Sequence, residues 1–150
     1  MAGLPEPEVG LVISYSYLWK DEGERGQTEG RKDRPCAIIL AVDHPNPQAV
    51  GRKQVAVAPI THTPPHDRAI AVEIPPRIKE HLGLDSGRSW VILSELNLFI
   101  WPGFDLRPIR RDESRVDYGL LPPKFFEQLI AKFKELRSQR TIAGTPRDKP

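Results

Sequence analysis

Groups able to act on a phosphodiester lie close together in this chain. The turn Gly26-Gln27-Thr28-Glu29-Gly30-Arg31-Lys32-Asp33 runs straight into Arg34-Pro35 and the apolar stretch Cys36-Ala37-Ile38-Ile39-Leu40. A charged loop punctuated by glycines and ending in an Arg at a strand mouth sets a fixed guanidinium beside mobile carboxylates, with Glu29 and Glu24 competing for that place. The guanidinium stays charged, and its fork of donors matches phosphate oxygens. Cutting RNA without a metal needs one group to take the 2′-hydroxyl proton and another to protonate the departing 5′-oxygen. It also needs donors to hold the charge building on phosphorus. Arg34 is the candidate for this last task, and Arg31 and Lys32 in the same loop are further phosphate contacts. The competing reading is an Arg that ends a strand or pairs with Asp33.

A second apolar run, Val55-Ala56-Val57-Ala58, leads into Pro59-Ile60-Thr61 and so closes on a hydroxyl. His62 follows at once, and an imidazole is the side chain that changes charge near neutral pH without help. A histidine in Thr61-His62-Thr63-Pro64-Pro65-His66 is otherwise loop decoration. Two imidazoles in a proline-rich loop with no third ligand nearby make a poor zinc site, so no metal or other cofactor is expected. Trp19, nearest the charged loop in the ladder Tyr15, Tyr17, Trp19, could stack a base as sheet aromatics do on single strands. Arg107, Arg110, Arg111 and Arg115 form the one basic cluster, diluted by Asp112, Glu113 and Asp117. Of these, Arg107 and Arg110 are candidate RNA contacts, and pairing with the neighbouring acids is the alternative.

These groups need a β framework. Leu11, Ile13, Tyr15, Tyr17 and Trp19 alternate, which predicts a half-buried strand over about residues 10–19. From Lys20 to Asp33, nine of fourteen side chains are charged and three residues are glycine, which predicts a long mobile loop with nothing to anchor it. Continuous apolar runs over 35–42 and 54–60 predict strands covered on both faces, with His44-Pro45-Asn46-Pro47 as a breaker between them. Residues 68–74 alternate again. Pro75-Pro76 open a helical turn that stops near Gly83, and 90–93 is another strand. Phe125, Phe126, Leu129, Ile130, Phe133 and Leu136 recur at helical spacing after Pro122-Pro123 and predict one long helix with a single apolar stripe. The expected architecture is mainly β with a C-terminal helix: five to seven short strands in a small, strongly curved antiparallel barrel.

The 150 residues suit a single domain over 1–138, with 139–150 a disordered tail. A formal charge of +2 excludes a broadly basic surface, so any nucleic-acid contact must be local. The lone Cys36 excludes an internal disulfide framework, and a reducing compartment follows. No leader pattern opens the chain and no apolar run is long enough to cross a bilayer, so a cytoplasmic protein without a membrane partner is expected.

The loop leading into Arg34-Pro35, the hydrophobic strand after it and the strand ending in Pro59-Ile60-Thr61 together resemble the MazF/PemK (Kid) family of toxins, over about residues 8–138. That family carries G-x-E-Q-x-G-x-R-P and then P-x-T. The resemblance implies an SH3-like barrel with a C-terminal helix and a metal-independent endoribonuclease of a type II toxin–antitoxin module. Such an enzyme acts on single-stranded RNA (mRNA) and leaves a 2′,3′-cyclic phosphate and a 5′-hydroxyl. It further implies a homodimer, and a cognate antitoxin with which the protein binds DNA. Arg34, Thr61 and Glu29 match the catalytic positions. Gly30 stands where the family has Gln. The R-x-D pair of the PemK branch maps onto Leu93-Ser94-Glu95, so the carboxylate survives as Glu95 while the Arg is Leu93, and Thr28 replaces the loop His. The alternative is a non-catalytic barrel of the same shape that binds RNA or a protein.

Overall fold

The alternation in the first strand divides the interior in two. The computed structural model of the chain describes residues 4–27, 30, 32–44 and 52–147. Strand β1 (Leu11–Tyr15) is buried along its whole length, because its two faces meet different clusters. Val12 joins Ala37, Ile39, Ala56 and Ala58 beneath the helices. Leu11, Ile13 and Tyr15 join Cys36, Ile38, Val55, Val57 and Phe99 on the other side. The parity of the register therefore decides which core each side chain enters.

β2 (Arg34–Asp43) lies antiparallel to β1 with Val12 opposite Ala37. β3 (Lys53–Thr61) follows antiparallel, with a bulge between Ile38 and Leu40. The free edge of β3 is shared by two later strands. Residues 54–57 pair with β6 (Glu95–Ile100), while Ile60 and Thr61 pair with β5 (Trp90–Ile92). β4 (Ala71–Glu73) extends β5, and β7 (Asp117–Leu120) covers the other side of β1. The sheet is eight-stranded and mainly antiparallel. Among the described residues no pairing joins its end strands β4 and β7, so it is open.

The long helix forms where the stripe predicts it, as α3 (Pro123–Ser138), with a proline in its first turn and Phe125, Leu129, Phe133 and Leu136 buried. Each such side chain contributes about 1.5–3 kcal/mol by leaving water. The shorter α2 (Pro76–Leu82) stops at Gly83, whose φ of 70° is the left-handed cap that glycine takes without strain. Among the described residues no helix is long and apolar enough to cross a membrane.

Three expectations change. The segment after Trp19 is not wholly a loop, because it opens with α1 (Lys20–Glu24) and buries Glu22, whose Oε1 accepts the Trp19 backbone N–H at 3.0 Å. The far end of β2 is not covered on both faces, since Leu40 and Val42 are exposed. The expected disordered tail instead forms β8 (Ala143–Pro146), parallel to β6. Arg147 follows the strand, and its guanidinium is buried and donates to Asp105 Oδ1 (2.8 Å), Asn97 Oδ1 (2.8 Å) and the Ser16 carbonyl (2.7 Å). Composition missed this because the anchor is one cation whose partners all lie far back in the sequence.

Removing one member of a buried, hydrogen-bonded ion pair leaves the other charge uncompensated, at about 3–5 kcal/mol. Arg147→Ala is therefore expected to lower the unfolding free energy by about 3 kcal/mol, measured by urea titration at pH 7. A loss under 1 kcal/mol would show that the tail is not tied into the core.

Candidate functional site

One side of the cavity is built at the end of β1. The backbone of Leu18 is held at both its polar groups by Asn97: Leu18 N–H donates to Oδ1 at 2.9 Å, and Nδ2 donates to the Leu18 carbonyl at 2.8 Å. Trp19, the next residue, is thereby fixed as the residue that precedes α1. Arg34 begins β2 opposite Tyr15, and its guanidinium lies 5.0 Å from the centre of the Trp19 ring. Stacking on the indole supports the cation but supplies no hydrogen-bond acceptor. Among the described residues, Arg34 Nε is buried and has no hydrogen-bond partner. Asp33 pairs with Arg107 at 3.7 Å, so it does not neutralise Arg34.

Gly30 packs against this wall. Its N–H donates to Ser16 Oγ at 3.2 Å, and a β-carbon there would fall on the Tyr17 carbonyl oxygen. Local crowding accounts for glycine at this position.

The opposing groups come from two further strand ends. Thr61 closes β3, and its Oγ1 accepts the Thr63 N–H at 3.1 Å, which leaves the hydroxyl proton free to be donated outward. Glu95 opens β6, and its Oε1 accepts the Lys20 N–H at 2.9 Å and the Tyr17 hydroxyl at 3.1 Å. Oε2 has no partner among the described residues. Burial pushes the Glu95 carboxyl above the usual glutamate value, and Asp21 adds to this, against the opposing effect of those two hydrogen bonds. Burial, and then Glu95 itself, likewise hold the Tyr17 phenol well above its ordinary range.

Trp19, Lys32, Arg34, Thr61 and Glu95 all line one cavity of about 630 Å³. The sequence argument had named each of them, although only through the resemblance for Glu95. Other candidates fall elsewhere. Glu29 and Arg31, with Thr28, lie outside the described residues. Glu24 ends α1 on the surface, 3.8 Å from Lys20, and does not line the cavity. Arg107 donates to the carbonyls of Phe104 and Leu106, and Arg110 is exposed, both away from the cavity.

His62 turns to the other side of its loop, where Nε2 is 2.6 Å from Asp85 Oδ2 and Nδ1 is 2.8 Å from the Arg88 carbonyl oxygen. The imidazole at the cavity is His66. Sequence reasoning noted both histidines but chose the one adjacent to Thr61. The Pro64-Pro65 turn between them is the signal that could have placed them on opposite sides. Glu22 and Arg25 also line the cavity and were missed, because the segment holding them was read as unanchored loop. Among the described residues no three His, Cys, Asp or Glu side chains gather as a metal site would require.

Taken together, the site offers a stacked cation lacking an acceptor, a hydroxyl donor, a carboxylate of raised basicity and an imidazole, all within a nucleotide-sized cavity. Comparison of the chain with protein-family models, with curated proteins and with solved structures gave no match.

The Glu95 shift has a consequence for stability. A carboxyl whose folded-state affinity for its proton exceeds the unfolded one stabilises the fold below the ordinary glutamate value, and that contribution is lost as pH rises through the folded-state value. Wild type is therefore expected to lose stability relative to Glu95→Gln as pH rises from the ordinary glutamate value, about 4.3, through the higher folded-state value. Urea titrations of both proteins across that range measure it, and parallel profiles would mean that burial does not perturb this carboxyl.

Proposed function

We propose that the protein is a metal-independent endoribonuclease that cleaves single-stranded RNA by attack of the 2′-hydroxyl on the adjacent phosphorus. The observation carrying this reading is Arg34, whose guanidinium lies over Trp19, pairs with no carboxylate among the described residues and lines the cavity that also holds Thr61 and Glu95. An Arg in this state favours an anionic acceptor, and a phosphate supplies oxygens to both Arg34 and the Thr61 hydroxyl.

In this reading Glu95 is the general base. Its unpartnered oxygen takes the 2′-hydroxyl proton, and its raised proton affinity makes it a stronger base than an ordinary glutamate. The bond from the 2′-oxygen to phosphorus forms as the bond to the 5′-oxygen breaks, and His66 donates a proton to that leaving oxygen. A 2′,3′-cyclic phosphate and a 5′-hydroxyl result. Arg34 and Thr61 hold the charge that grows on the non-bridging oxygens.

The reading includes an SH3-like barrel of the MazF/PemK kind, and β3 sharing one edge between β5 and β6 supports such coiling. It also includes a cytoplasmic toxin, a second copy of the chain beside the groove and an acidic antitoxin segment as inhibitor. Arg25, Lys32 and Arg34 at the cavity are the cations available to that segment. The match of the Arg34-Pro35 and Pro59-Ile60-Thr61 segments to the family pattern supports these parts.

Purified protein incubated with long single-stranded RNA in EDTA is expected to yield fragments with 2′,3′-cyclic phosphate ends. Arg34→Ala should slow cleavage by about 10²–10³-fold, and Glu95→Gln by about 10²–10⁴-fold. Glu24→Gln should stay within about threefold of wild type, since this exposed carboxylate lies off the cavity and acid–base losses of that larger size belong to groups at the reacting atoms. Undiminished cutting by Arg34→Ala would refute the assignment. RNA bound but left intact at high protein excess would instead establish the non-catalytic binding module.

A further inference from the structure

A second arginine–tryptophan stack lies on the far side of the Thr61-to-Pro65 loop. There the Arg88 guanidinium is 5.0 Å from the centre of the Trp90 ring, the same separation as between Arg34 and Trp19. Arg88 and Trp90 line a shallower depression of about 490 Å³ together with His62, Pro64, Asp85 and Gly87. Pro64 lines both cavities, so the two are neighbours across a single residue. Trp90 is also paired with Thr61 in the sheet, and Trp19 packs on the apolar cluster to which Trp90 belongs.

The two arginines differ in what their edges do. Arg88 Nε and Nη2 both donate to the Glu73 carboxylate, each at 2.8 Å. That bidentate pair engages the edge of the guanidinium and holds the group over the indole. The side chain is nonetheless 71% exposed, so the face turned away from Trp90 is open. A planar cation whose edge is already engaged is poorly suited to grip a phosphate and well suited to carry a base, since guanidinium planes stack on nucleobases as aromatic rings do.

The rest of the depression is tied together as a rigid floor. Lys79 is buried and donates to Asp85 Oδ1 at 2.9 Å, to Ser89 Oγ at 2.8 Å and to the Gly87 carbonyl, while Asp85 Oδ2 holds His62. Ser89, His62 and Asp85 have the outline of a nucleophilic triad, with Ser89 Oγ 3.2 Å from His62 Nδ1. Ser89 is only 2% exposed, however, and accepts from Lys79, so no substrate reaches it.

We infer that the Arg88–Trp90 depression is a second nucleotide subsite, which seats by stacking on Arg88 the base adjoining the nucleotide held at Arg34 and Trp19. The ligand is single-stranded RNA whose backbone crosses Pro64, and the subsite rests on the RNA reading of the Arg34 cavity. Its floor is built mainly from the loop between α2 and β5, anchored by Lys79 of α2 and Glu73 of β4, and includes none of the groups that act on the scissile phosphate.

The test uses 2′-O-methyl oligonucleotides of one to four residues, which lack the attacking hydroxyl, with dissociation constants measured by calorimetry on the intact protein. Stacking a base on a planar side chain contributes about 1–3 kcal/mol by alanine substitution, or about 5- to 150-fold in affinity. Wild type is expected to gain at least fivefold when the oligonucleotide becomes long enough to cross Pro64. Arg88→Ala and Arg88→Lys should both lose that gain while binding the shortest ligand as wild type does. Arg34→Ala should weaken every length. A gain that survives in Arg88→Lys would assign it to charge and overturn the stacking seat, and a gain unchanged in Arg88→Ala would remove the subsite altogether. If no length binds wild type, the RNA reading of the Arg34 cavity fails, and the subsite falls with it.

Discussion

Asn97 is the constraint on which the site depends. It is fully buried on β6, where a free amide would be costly, and it binds the amide and the carbonyl of Leu18 with geometry resembling that of a neighbouring strand. β1 has already ended at Tyr15, so backbone pairing cannot hold the chain at Leu18. One side chain takes over, and it settles where Trp19 lies and where α1 starts. Arg147 reinforces the arrangement by donating to the same Asn97 oxygen and to the Ser16 carbonyl. The C-terminal strand is thus part of what positions the cavity, although it contributes no residue to its lining.

Charge pairing then separates the arginines by task. Arg147 and Arg88 each meet carboxylate oxygens, and Arg107 meets two backbone carbonyls as well as Asp33. Among the described residues Arg34 has only the face of Trp19, with Nε buried and unpartnered. Leaving such a donor unmet costs about 1–3 kcal/mol, a large part of a marginal folding free energy. Arg34 also lines the cavity, where a phosphate would meet a cation that no carboxylate among the described residues neutralises. Glu95 stands in a parallel position, because Tyr17 and Lys20 engage one oxygen and leave the other open while burial raises its hold on a proton. Both groups are supported on their structural side and unsatisfied on the side of the cavity.

Most of the framework was legible in the sequence, from alternation in β1, continuous apolar runs in β2, β3 and β5, the proline and glycine bounds of α2 and the helical stripe of α3. β1, β2, β3, β5, α2 and α3 lie where those patterns put them, to within a few residues at the ends. What escaped was structure held by single polar contacts between distant residues. α1 looked like solvated loop because its anchors are Leu18, gripped from residue 97, and the buried carboxylate of Glu22. β8 looked disordered because its anchor is Arg147. Composition scores such charges as surface, and only the three-dimensional fold brings their partners together. The site divides the same way. Arg34, Thr61 and Trp19 were readable as strand-end positions next to loops, whereas choosing between His62 and His66 required the direction of the turn at Pro64-Pro65. Choosing among the carboxylates required burial, which separates Glu95 from the exposed Glu24.

The small net charge bears on how such a site would hold RNA. With a formal charge of +2 and Asp21, Glu22 and Glu95 beside Arg25, Lys32 and Arg34, the cavity has no strong field to draw in a polyanion. Each phosphate contact to a single strand releases only a fraction of a counterion, so one or two contacts yield little sequence-independent affinity. On the proposed reading, binding must then come from the planar surfaces, which act at short range and only on unpaired bases. A duplex keeps its bases stacked on each other and offers these planes nothing. On that reading, a preference for single strands would follow from weak electrostatics combined with stacking, with no element needed to exclude a double helix.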